Sequence, residues 1–232
     1  GASPVGTLAY SVRDGITAVT SGTTITVSAV NAPPQAFSDA RTTGENSTLG
    51  TSVPTASDVD GTISSYTLAA GVGAGNGTLA FNSSGAYVFS TGSAFDNLAA
   101  GQSRSVSFTY TATDNSGAVS TPATVTITVT GANDAPTGAD ATYVIAEDGS
   151  RAFAGADFGF ADVDVGDTLA RVRIDSLPAA GTLTMNGTAV SAGQSIDAAD
   201  LPNLVFTPSA NTNGANYANF TFSVQDSGGL FD

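Results

Sequence analysis

Several short landmarks recur in one order at a nearly constant spacing, so this chain must build a similar unit more than once. Asn31-Ala32-Pro33-Pro34 returns as Asn133-Asp134-Ala135-Pro136, and Glu45 as Glu147, each 102 residues on. Asp58-Val59-Asp60 returns as Asp162-Val163-Asp164, and Gly77-Thr78-Leu79 as Gly181-Thr182-Leu183, each 104 residues on. A further pattern, an aromatic residue four places before an Asp, occurs as Tyr10/Asp14, Tyr110/Asp114 and Phe222/Asp226. A unit of roughly 100 residues can bury a core of its own without disulfides or other staples.

Within each unit the apolar residues alternate. Val106–Ala112 and Ala123–Val129 alternate apolar and polar residues strictly, and Thr24–Ala29 and Phe220–Val224 do the same. A period of two belongs to strands with one face in a core. Asp60-Gly61, Ser84-Gly85, Ser116-Gly117, Asn186-Gly187 and Ser227-Gly228 supply the turns between them. No long stretch carries a helical apolar stripe; Asp197–Leu201 is expected to form at most one helical turn. The predicted fold is all-β: tandem immunoglobulin-like β-sandwiches with Greek-key connections. The spacing divides the chain three ways. Residues 1–32 are expected to be the last strands of a preceding repeat, 33–133 one full repeat, and 134–232 a second that stops after its penultimate strand. The opening Gly1-Ala2-Ser3-Pro4 reads as an internal stretch of a longer polypeptide. The last unit should then lack a counterpart of Ala123–Val129. An equivalent of residues 22–30, from further along the chain or from a neighbouring molecule, is expected to fill that place.

Charge narrows the partners. Six arginines, no lysine and 20 acids, of which 18 are Asp, give a net charge of −14. Nucleic acid and anionic membrane surfaces need a basic patch and are disfavoured. Without His or Cys, zinc, haem and iron–sulfur sites lose their usual ligands. Calcium, which takes hard oxygen donors, fits this composition. No apolar run approaches the length of a membrane span.

Three sets of acids and amides sit where strands should end. The Asp-x-Asp pairs are Asp58/Asp60 and Asp162/Asp164, whose side chains strand alternation would aim to one side. Asp14, Asp114 and Asp226 close penultimate strands, and Asn31 and Asn133-Asp134 form linkers just before proline, which stiffens them. Loops at one end of a sandwich cluster, so Asn133, Asp134, Asp162, Asp164 and Asp226 are expected around one point. Anions at such range repel unless a counter-ion holds them, and Ca2+ accepts six to eight oxygens. The first junction offers Asn31, Asp58, Asp60 and Asp114, with Ala32 in the place of Asp134. Read alone, each of these acids is an ordinary turn residue; Asp140, Asp157, Asp175, Asp197 and Asp200 are expected to be solvated turn residues.

In order, Asp58-Val-Asp-Gly61, Gly77-Thr-Leu79, Phe95-Asp-Asn-Leu98, Tyr110-Thr-Ala-Thr-Asp114, Asn133-Asp-Ala-Pro136 and Phe206-Thr-Pro208 resemble the cadherin-like and VCBS-type tandem repeats of large bacterial surface adhesins, including RTX-type adhesins. The resemblance implies calcium between successive domains. It also implies that Glu45 of the preceding repeat joins Asn133 and Asp134, that Asp96 takes the place of the acidic motif before the penultimate strand, and that Glu147 serves a further junction. The linker lacks the fuller Asp-x-Asn-Asp-Asn pattern of cadherins, which points to one or two ions per junction.

The function expected from these readings is a calcium-stiffened spacer of an extracellular adhesin on the bacterial cell surface, supporting cell adhesion or biofilm formation. Its expected partners are neighbouring repeats of the same polypeptide and a host or matrix glycan or protein. The alternative is that one repeat itself binds a glycan or peptide, although Tyr66, Tyr87, Tyr143 and Tyr217 read more simply as core or edge residues. An enzyme is not expected: no His is available for a triad, and the carboxylate pairs fit metal turns better than glycoside cleavage. The Asn-x-Ser/Thr triplets follow from composition and receive no role.

Overall fold

The computed structural model describes the backbone of residues 4–13, 18–26 and 30–232, and side chains from residue 30 onward. Asp14 and the end of the strand predicted over Thr24–Ala29 lie outside the described residues. Strands β1 (Pro4–Arg13) and β2 (Ala18–Thr26) pair antiparallel.

Seven strands follow: β3 (Asp39–Gly44), β4 (Thr48–Ser52), β5 (Ile63–Ala70), β6 (Thr78–Phe81), β7 (Ala86–Ser90), β8 (Ser103–Asp114) and β9 (Ala123–Thr130). They form two sheets, ordered β3-β9-β8-β5 and β4-β7-β6. β3 runs parallel to β9, and every other pair is antiparallel. The chain thus crosses between sheets rather than meandering. The alternation read from sequence decides which face is buried: Val106, Phe108, Tyr110 and Ala112 of β8 and Val125, Ile127 and Val129 of β9 all point into the core. Tyr87, Phe89 and Phe95 complete that cluster. The Tyr110 hydroxyl, buried with its ring, donates to the Phe37 carbonyl at 2.7 Å, so the aromatic group fills the core without orphaning its polar end.

The second set comprises β10 (Arg151–Ala152), β11 (Arg171–Ser176), β12 (Thr182–Met185), β13 (Thr188–Ala189), β14 (Gln194–Asp197), β15 (Leu204–Thr207) and β16 (Thr221–Gln225). Its sheets are ordered β10-β15-β12-β13 and β14-β11-β16. A separate core gathers Phe153, Phe158, Val172, Ile174, Leu183, Ile196, Leu201, Leu204 and Val224. The expected helical turn near residue 200 is a 3-10 helix, Ala198–Asn203. No helix among the described residues is long and apolar enough to cross a membrane.

The recurring Gly-Thr-Leu landmark has a steric cause. Gly77 and Gly181 both adopt positive φ, at +79° and +74°. A Cβ at Gly77 would collide with the Ser90 carbonyl and the Phe89 ring, and one at Gly181 with the Thr207 carbonyl and the Phe206 ring. Leu79 opposite Phe89, and Leu183 opposite Phe206, then enter their ladders in the same register. Only glycine satisfies both the dihedral and the space.

Candidate metal centre

The linker leaving β9 is gripped from both sides. The Ala132 N–H donates to Glu45 Oε1 at 2.6 Å, and the Asp134 N–H donates to Asp164 Oδ2 at 2.8 Å. Glu45 belongs to the first unit, where its own N–H is held by the Thr130 carbonyl. Asp164 belongs to the second. The Asn133 amide donates to Asp226 Oδ2 at 2.8 Å, and a Cβ on Gly228 would overlap the Asn133 side chain, so this loop admits the amide because residue 228 is glycine. A direct backbone bond, Val165 N–H to the Asn97 carbonyl at 3.2 Å, also ties the following unit to the preceding one.

Each expected ligand has a definite place. Asp162 Oδ1 accepts the Asp164 N–H at 2.9 Å, and Asp58 Oδ1 likewise accepts the Asp60 N–H at 3.1 Å. The Asp-x-Asp pairs therefore lie in bends stabilised by their own side chains, not on extended strands, and convergence comes from the turn rather than from alternation. Asp226 closes β16, and its Oδ1 accepts the Gly229 and Leu230 N–H groups, leaving it 1% exposed. Oxygens of Asp162, Asp167 and Asp226 lie within 4.8 Å of one another. Donors about 2.3–2.6 Å from a shared calcium ion lie at most about 5 Å apart, so this separation is compatible with common ligation.

The electrostatics carry the strain expected of uncompensated acids. Glu45 and Asp164 are 1% and 3% exposed. Burial first, then the nearby charges of Asp134, Asp164 and Asp96, push the Glu45 carboxyl above its ordinary value, against the opposing Ala132 hydrogen bond. Burial, then Asp134, Asp162 and Asp167, push Asp164 up as well, against the Asp134 N–H. Glu45 Oε2, Asp162 Oδ2, Asp164 Oδ1 and Asp167 Oδ2 are buried without a hydrogen-bond partner. Buried carboxylate oxygens are normally satisfied, so these spare acceptors, hard and anionic, suit a divalent cation such as calcium.

The first junction repeats half of this plan. The Asn31 amide donates to Asp114 Oδ2 at 2.6 Å, and the Ala32 N–H reaches Asp60 Oδ2 at 3.1 Å. The Asn31 bond is the main reason the Asp114 carboxyl sits below its ordinary value. Here Asp58 Oδ2 is the buried, unpartnered oxygen, while Asp60 is exposed. Asp96 is half-buried and close enough to act on Glu45.

Of the acids expected to be solvated, Asp175 and Asp197 are exposed and Asp157 is half-buried, and all three have partners. Asp157 accepts from Arg151, Tyr143 and the Ala154 N–H, Asp175 pairs with Arg173 and Ser223, and Asp197 pairs with Arg171. Arg171 reaches Asp197 across the β11–β14 pair, Arg151 reaches Asp157 across a loop, and Arg173 meets Asp175 two places along β11. Glu147, the counterpart of Glu45, is exposed and accepts from Asn213 at 2.9 Å. Asp167, which follows the second Asp-x-Asp pair, joins this cluster with no counterpart in the first unit, where position 63 is Ile.

Residues 31–131 match the family described as bacterial cadherin-like domain. No curated protein matches the chain. Among solved structures it is similar to protocadherin gamma B2 extracellular cadherin domains 3–6, at 18% identity and TM-score 0.42, covering 93% of this chain and 54% of that one. It is also similar to Drosophila N-cadherin EC1–4, at 13% identity and TM-score 0.34, covering 97% and 55%. The chain spans a little over half the length of these structures.

Proposed function

Starting from an all-β chain in which residues 31–131 form a cadherin-like β-sandwich, we propose that it is a calcium-stiffened spacer in an extracellular adhesin of the bacterial surface, serving cell adhesion or biofilm formation. The observation that carries this reading is the junction itself: carboxylates from both units and the linker converge there with buried, unpartnered oxygens. Glu45, Asp96, Asn133, Asp134, Asp162, Asp164, Asp167 and Asp226 would hold the ion at this junction; Asn31, Asp58, Asp60 and Asp114 would hold one at the first.

Bound calcium supplies positive charge to offset the gathered carboxylates. The chain's part is mechanical. Glu45 fixes the linker to the preceding unit, Asp164 fixes it to the following one, and each keeps one oxygen free to face the shared site. Without a counter-ion the same acids repel across the junction and favour bending; neutralised, they tie both units to one set of donors. The test is small-angle scattering and thermal melting in chelator and at millimolar calcium. Greater extension and a higher melting temperature with calcium are expected, and identical curves in both conditions would defeat the proposal.

A further inference from the structure

We propose that the second unit carries a saccharide-binding groove beside β14, built to hold adjacent hydroxyls of a neutral sugar ring. The basis is an internal comparison between the two units. In the first, β6 runs into β7 through a tight turn at residues 82–85, closed by the Gly85 N–H on the Asn82 carbonyl at 3.0 Å. In the second, β12 and β15 pair in the register of β6 and β7, yet residues 186–203 intervene and build β13, β14 and the 3-10 helix Ala198–Asn203. The sandwich does not need this excursion. In the first unit β5 pairs with β8 and ends its sheet, whereas β11, which pairs with β16 in the same way, carries β14 as an added strand. Extra segments positioned by a rigid scaffold are where binding residues concentrate.

Together with Arg171 of β11 and Met185 of β12, the excursion lines an open groove of about 360 Å³, within the size range of small-ligand sites. Gln194 and Asp197 of β14 and Asp200 of the 3-10 helix supply its polar rim. Arg171 gives Nε to Asp197 Oδ1 at 2.6 Å, and its Nη groups have no hydrogen-bond partner among the described residues. Asp200 is exposed and has no such partner either. Gln194 accepts the Ser191 N–H on Oε1 at 3.1 Å and keeps its amide N–H groups for a ligand. Arg173, two places along the same strand, is by contrast fully engaged: it donates to Asp175 and Ser223 and lies over the Phe231 ring at 4.6 Å.

The chemistry of this rim selects its ligand. Guanidinium and amide nitrogens donate, and the two carboxylates accept, side by side. A pair of adjacent hydroxyls answers both, each accepting from a nitrogen and donating to a carboxylate. An anion would meet two carboxylates against one guanidinium, and the carboxylate of a zwitterion would meet the same excess. A bare cation would be repelled by Arg171, and an apolar ligand would desolvate charges without replacing their hydrogen bonds. Met185 adds an adaptable apolar surface for the C–H face of a sugar ring. The groove shares no residue with either ion site, so it stands or falls apart from the spacer reading.

The test uses the whole chain in chelator, so calcium plays no part in it. The methyl glycosides of mannose, galactose, glucose and fucose are titrated separately to about 50 mM. Backbone amides and the methyl group of Met185, the single methionine of the chain, are followed by NMR. We expect at least one glycoside to bind with a Kd of about 1–10 mM, shifting Arg171, Met185, Gln194–Asp197 and Asp200. R171Q and D200N, both at exposed positions, should melt like the parent and weaken binding about fivefold or more. D140N, elsewhere on the same unit, should leave it unchanged. No shift with any of the four glycosides, shifts confined to other residues, or undiminished binding in both variants would overturn the proposal. Equal or tighter binding of glycylglycine would do so too, by assigning the groove to a zwitterion, as would calcium alone reproducing the same shifts in a parallel titration without chelator.

Discussion

Asp162→Asn separates an ion-binding carboxylate from a merely structural one, because the two roles predict opposite signs in chelator. The substitution keeps an oxygen to accept the Asp164 N–H and replaces the buried, unpartnered Oδ2 with a donor beside anions. Asp162, Asp167 and Asp226 have oxygens within 4.8 Å of one another. At that separation each pair repels by about 0.9 kcal/mol in water and about 3.5 kcal/mol at an effective dielectric of 20. The variant removes the two pairs that involve Asp162. Because Asp162 is only half-buried, the relief belongs near the lower bound, about 2 kcal/mol, which corresponds to a rise of about 4 °C or more in chelator. With calcium the gap narrows, to about 1 kcal/mol. At ten times its Kd, one ion adds about 1.4 kcal/mol to the parent chain, and a tenfold loss of affinity cuts this to about 0.4 kcal/mol. Calorimetry in chelator and across a calcium titration reads both. A lower melting temperature in chelator, or an undiminished calcium shift, would refute the reasoning.

Three further outcomes follow from the same geometry. Glu45 and Asp164 have raised folded-state values, so their stabilising effect is complete below their ordinary values of 4.5 and 3.8 and is lost as pH rises through the folded ones. In chelator, melting temperature should therefore climb as pH falls through the raised folded values toward 4.5. Below 3.8 it should drop, as the depressed Asp114, Asp157 and Asp175 protonate; a melting temperature that only falls on acidification from pH 7 would contradict this. Gly77→Ala and Gly181→Ala should each cost about 2 kcal/mol or more by denaturant unfolding, since strained dihedral and backbone collision add; a neutral result would remove the steric account of the landmark. Asp60→Asn, at an exposed position, should reduce the calcium-induced melting shift less than Asp164→Asn does, and the reverse ranking by calorimetry would contradict the unequal junctions.

The strands were legible because one periodicity and one physical cause coincide: β8 and β9 alternate since one face must be dry, and the buried residues are the apolar ones of the pattern. The gathering of acids at the linker was legible for a different reason. Repetition marked positions that local propensity does not explain, such as Asn31 with Asn133 and Asp114 with Asp226. What repetition could not mark is what occurs once. Asp167 has no earlier counterpart, and the Asn97 carbonyl contributes through its backbone, which carries no side-chain signal. At Asp58 and Asp162 spacing alone does not separate a bend from strand alternation, because an Asp capping its own turn and an Asp alternating on a strand have the same spacing. The short strands β13 and β14, which pair with β12 and β11, lie in the stretch between the Gly-Thr-Leu and aromatic landmarks, where the second unit is longer and the first offers no template.

The linker also explains why stiffness and ion affinity should rise together rather than being separate properties of the junction. Glu45 and Asp164 each spend one oxygen on a linker N–H and leave the other buried and unpartnered. The bonds that hold the linker are thus the bonds that aim the spare oxygens, so the ordering cost of the site is met by the same contacts that set the angle between units. A hinge that opened by breaking the Ala132 or Asp134 bond would disperse the donors, and an ion that gathered the donors would oppose that opening. At the first junction only the following side is present among the described residues, through Asp60 and Asp114, and the linker there has one grip instead of two. At the second junction the donors on both sides of the linker are therefore set by the same bonds that couple the two units.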